Sequence, residues 1–116
     1  MAAWLCAFGA MADGELRERA LGLEATLAGF PQRTLAELET LAPTADGAPA
    51  AERRIVYTLL GQARVQVGNT ADAAELADRL EEQAARENDG PGREVALLIR
   101  ATIESSAGDA AKSIAL

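Results

Sequence analysis

The chain has 116 residues, of which 18 are Asp or Glu and 11 are Lys or Arg, for a formal net charge of −7. That length allows one domain with a modest core, and the acidic balance excludes a nucleic-acid or anionic-membrane surface, since both need clustered Lys and Arg. With no histidine and a single cysteine, Cys6, zinc sites, Ser-His-Asp and Cys-His arrangements and an internal disulfide are excluded by inventory, so no metal or cofactor is expected.

Alanine supplies 27 residues and leucine 15, whereas aromatic residues make up 3 %. Ala and Leu are strong helix formers and strand-favouring types are scarce. The expected fold is therefore all-α, and 49 % hydrophobic residues is too many for a disordered chain.

Residues 1–12 (MAAWLCAFGAMA) carry no charged side chain, and every formal charge lies from Asp13 onward. This segment reads as the apolar part of a secretory signal ending in a small-x-small site, Ala10-Met11-Ala12, which implies an exported, periplasmic chain. It lacks a basic start, as a truncated signal would. An apolar first helix packed on the domain, in a cytoplasmic protein, is the alternative. The segment is too short to span a bilayer, which takes about 20 residues.

From Asp13 on, helical spacing dominates. Leu16, Ala20, Leu23 and Leu27 recur on one face, and Gly29 follows. Pro31 suits the first turn of the next helix, whose inner face carries Leu35 and Leu38. Ala42–Ala50 (APTADGAPA) reads as a loop. Ile55, Leu59, Ala63 and Val67 mark a third helix stopped by Gly68, and Asn69 or Thr70 caps a fourth with Leu76, Ala77, Leu80 and Ala84 on its inner face. Asn88–Gly92 (NDGPG) is a second loop. Val95, Ile99 and Ile103 mark a fifth helix, Gly108 its stop, and Asp109 the cap of a short sixth.

The glycines repeat. Gly22 and Gly61 are 39 residues apart, as are Gly29 and Gly68, and Ala101 with Gly108 forms a weaker third copy shifted by 40. Periods of this size belong to stacked helical hairpins. A helix-interior glycine costs about 1 kcal/mol relative to alanine. Gly22, Gly61 and Ala101 are therefore expected where paired helices cross closely, with Ala73 facing the crossing. Glycines scattered by chance in an Ala-rich bundle are the alternative.

The stretch from Tyr57 through Leu60-Gly61 and Gly68 to Ala73 resembles a tetratricopeptide repeat, with a large aromatic, Leu-Gly, a turn glycine and a small residue at the family's offsets. Leu21, Gly22 and Gly29 match in part, as do Ala101 and Gly108. The resemblance weakens after Ala73, where Ala77 and Leu80 replace the more usual aromatic and alanine and the closing proline is absent. It implies a tetratricopeptide-like α-solenoid of about three antiparallel hairpins over residues 13–116, with the first helix of each hairpin lining a groove for a protein or peptide segment. By position, Thr58, Gln62, Val65 and Gln66 face that groove from the second unit, and Leu98, Thr102 and Ser105 from the third. The Lys/Asn clamp for a C-terminal carboxylate is absent. Ordinary solvated residues are the plain alternative at these positions.

Carboxylate chemistry has little support. Adjacent residues on a helix point about 100° apart, so Glu81 and Glu82 do not converge on one substrate. Glu37 with Glu39 and Asp72 with Glu75 likewise read as solvated faces. The favoured expectation is a non-enzymatic interaction or sensor-input module, binding a protein segment or another copy of itself. The short final helix implies the N-terminal portion of a longer protein. By analogy of context, that places it beside the periplasmic input regions of bacterial membrane signalling proteins, including diguanylate cyclases with a GGDEF output domain. A small helical-bundle enzyme or ligand-binding protein, and a purely structural remnant, are the other readings.

Overall fold

The computed structural model describes residues 15–115, with side chains through residue 107, as five helices and no strand. They are α1 (Glu15–Leu27), α2 (Pro31–Asp46), α3 (Ala50–Gln66), α4 (Thr70–Glu87) and α5 (Gly90–Ala115). The all-α expectation holds. Residues 1–12, read as a signal, lie outside the described residues. The chain divides into two compact units, Met1–Leu59 and Leu60–Leu116, with the boundary inside α3.

In the first unit α1 buries Leu16, Ala20, Leu23 and Leu27, one residue per turn or so, against α2. That helix answers with Leu35, Leu38, Leu41 and Ala45. Thr34 is the buried polar residue among the described residues here, and its hydroxyl lies 2.8 Å from that of Thr26. Thr26 spends its one proton on the Leu23 carbonyl at 3.0 Å, so Thr34 is the donor. Between the helices, Pro31 sits in the first turn of α2 as expected. It also constrains the backbone of Phe30 before it, which ends the turn without a left-handed residue.

Helix α2 departs from the sequence reading. It runs through Pro43 to Asp46, so most of the expected loop at 42–50 is helix and only residues 47–49 connect α2 to α3. Proline removes one backbone donor and crowds the preceding turn. Here Pro43 is exposed, while Leu41 and Ala45 on either side are buried, and their packing carries the helix past it. Pro43→Ala is expected to restore the missing donor and to raise unfolding stability by about 2 kcal/mol, helix propensity outweighing the looser unfolded chain. Urea denaturation followed by circular dichroism measures it.

In the second unit α4 and α5 form an antiparallel pair closed by a two-residue turn, Asn88 and Asp89. Asn88 takes the left-handed conformation at φ 54°, and the Asp89 N–H bonds the Ala84 carbonyl at 2.9 Å, which satisfies one of the free carbonyls at the end of α4. The turn is shorter than the expected NDGPG loop because Gly90, Pro91 and Gly92 already belong to α5. Gly68 has φ 91° and ends α3 as expected.

The expected stop at Gly108 does not occur. Helix α5 continues from Gly90 to Ala115, so no separate sixth helix begins at Asp109 and the third hairpin is not formed. Gly108 lies between Ala107 and Asp109, with Ala110 and Ala111 following and no proline nearby, and the helix tolerates the roughly 1 kcal/mol that an interior glycine costs.

Candidate functional site

The small residues expected at crossings separate once their surroundings are known. A Cβ added at Gly61 would lie 2.6 Å from both Cδ1 and Cγ1 of Ile99, a side chain with 0 % exposure. Gly61 therefore admits α5 against α3. The expected partner, Ala73, is buried as well, but the atoms filling the space over Gly61 belong to the fifth helix. At Gly22 an added Cβ would meet nothing within 4 Å, and both Gly22 and Ala101 are exposed, so neither is a crossing. The reason is rotational. The inward stripe of α1 passes through Leu23, about 100° from Gly22, and that of α5 through Ala96 and Ile99, away from Ala101. By contrast, α3 has buried residues on nearly every face (Val56, Tyr57, Leu59, Leu60, Ala63, Val65). Gly29, also part of the expected repeat, has open space around it and is not among the positive-φ residues.

The residues expected to line a groove also separate. Val65 is 7 % exposed and packs in the core, because α3 is covered on that side too. Thr58 and Gln62 are half-buried and Gln66 is exposed. The Thr58 hydroxyl donates to the Arg54 carbonyl at 2.7 Å, so its proton is spent within its own helix. On α5, Leu98 is 46 % exposed and its neighbour Leu97 53 %. Thr102 is half-buried and Ser105 exposed, and the Thr102 hydroxyl donates to the Leu98 carbonyl at 2.9 Å. Ala101, Thr102, Ser105 and Ser106 line a shallow, open depression of about 440 Å³. The outer face of α5 thus presents two leucines, an alanine and hydroxyls together.

Polar anchoring lies along the edge of α5 that borders α4. Arg100, the one cation in the apolar run Val95–Ile103, donates to Glu81 and to Asp78 Oδ1 at 2.6 Å. Its hydrogen bond to Asp78, then that to Glu81, raise the pKa of the guanidinium above its ordinary value. These contacts tie α5 to α4. The sequence pattern assigns Glu81 to a solvated face and gives Arg100 no role. The available signal was an i,i+3 acidic pair opposite a lone arginine in an apolar stretch. Glu37 pairs with Arg33 on the surface of α2 at 3.7 Å.

Among the described residues no group of acidic or cysteine side chains is arranged to hold a metal ion, and no helix is long and apolar enough to cross a membrane. No protein-family model matches the chain, and comparison with curated proteins and with solved structures finds no significant match.

Proposed function

We propose that this chain is a non-enzymatic protein–protein interaction module, a short tetratricopeptide-like array that docks a protein segment on the outer face of α5. The observation that carries this reading is the pair of half-exposed leucines, Leu97 and Leu98, beside the depression lined by Ala101, Thr102 and Ser105. Large apolar side chains grouped on one exposed helix face, with neutral hydroxyls beside them, suit partner recognition by complementarity better than they suit solvent.

Stacking supports the array. Gly61 on α3 accommodates Ile99 on α5, the helices that would open consecutive repeats. Tyr57 and Leu60 are buried and Ala73 faces the core, as the resemblance implies. The sensor-input role and the exported location belong to the same proposal and rest on the sequence alone.

A photo-crosslinking residue tests the docking face. Placed at Leu98 in the producing cell it is expected to yield a covalent protein adduct, whereas the same group at exposed Glu82 on α4 yields none. Absence of any adduct from position 98 refutes the reading.

A further inference from the structure

Resting on that reading, we propose that the occupant of the α5 face is the same face of a second copy, packed antiparallel across a twofold axis. The argument is charge complementarity of the face with itself. Arg93 and Glu104 are both exposed, and neither takes part in the ion pairs found among the described residues. They lie eleven residues apart, three helical turns, which puts them on one edge of α5 about 20° apart and roughly 16 Å along the axis. The exposed apolar residues Leu97, Leu98 and Ala101 stand between them.

A twofold axis through the midpoint, between Leu98 and Ile99, preserves that edge and reverses the helix direction. Arg93 of each copy then lies opposite Glu104 of the other, giving two equivalent ion pairs. The same register sets Leu98 against its own counterpart and Leu97 against the other copy's Ala101, a large side chain over a small one. Glu94 falls beside the other copy's Ser105, whose hydroxyl is free to donate. A parallel pairing would place Arg93 beside Arg93 and Glu104 beside Glu104. Self-complementarity of this kind is the requirement for a closed twofold dimer.

One helix pair is a small interface, so the dimer is weak, concentration-dependent and favoured at low ionic strength. The test is sedimentation equilibrium of the full chain up to ~1 mM, the range in which weak contacts register, in low and high salt. The wild type is expected to dimerise. Arg93→Glu and Glu104→Arg are each expected to weaken dimerisation about tenfold, by replacing an attraction with a repulsion in both symmetry-related pairs. The double charge swap is expected to restore it. All variants alter exposed side chains, and unchanged helical circular dichroism shows that they fold. A wild type that stays monomeric overturns the proposal, as does a dimer indifferent to both reversals. If position 98 crosslinks to a different protein while the chain sediments as a monomer, the self-pairing fails and the interaction-module reading stands.

Discussion

Gly61→Leu is expected to destabilise the chain by about 3 kcal/mol, the upper end of what an overpacked core costs, whereas Gly22→Ala is expected to stabilise it by up to about 1 kcal/mol. The two glycines stand 39 residues apart in sequence, yet their substitutions take opposite signs. At Gly61 the space for a Cβ is already filled by Ile99, which is fully buried in a close-packed interior. At Gly22 the space is open, so only the backbone entropy of glycine remains to be recovered. Even Gly61→Ala should be net destabilising, because the contact outweighs the better helix propensity. Combining it with Ile99→Ala should leave Gly61→Ala neutral or favourable in that background. This non-additivity is the mark of two residues in direct contact. Urea midpoints of the two single variants and the double variant measure it.

Tyr57→Ala is expected to cost about 3–5 kcal/mol, the range for truncating a buried aromatic side chain, while Tyr57→Phe costs only about 0.5–1.5 kcal/mol. Tyr57 is 1 % exposed and, among the described residues, the largest of the fully buried side chains, and its hydroxyl donates to the Asp46 carboxylate at the end of α2. Removing the ring leaves a cavity beneath the first half of α3. Removing the hydroxyl alone leaves an acceptor on an exposed residue, which water can satisfy, so the smaller loss follows. If Tyr57→Phe proved as damaging as Tyr57→Ala, the hydrogen bond rather than the ring would be what secures α2 to α3.

What the sequence could and could not specify follows from these particulars. The inward stripes of α1 and α4 were legible because a period of 3.6 needs only apolar residues at the right spacing, and every residue named on those stripes is buried. Glycine was ambiguous because it has no side chain to reveal which way it faces. Gly68 ends a helix with positive φ, Gly61 admits a neighbour, Gly22 faces open space, and Gly108 lies within a continuing helix. A proline is a weak stop where packing opposes it: the breaker-rich stretch Ala42–Ala50 is largely helical, since buried Leu41 and Ala45 flank exposed Pro43. Of the residues expected in a groove, those on α5 do reach a surface. Val65 does not, because the coverage of α3 from several sides is a tertiary property with no local signature. The role of Arg100 has no local signature either, its carboxylate partners lying 19 and 22 residues away in sequence.

Gly61 seats Ile99 and so lets α5 approach α3. The most direct measurement is the nuclear Overhauser spectrum of the chain in solution with the Ile99 methyl groups assigned. Strong cross-peaks between the Gly61 Hα protons and the Ile99 δ1 methyl are expected. If that methyl instead gave its contacts to other residues and none to Gly61, the stacking of these two helices would be contradicted.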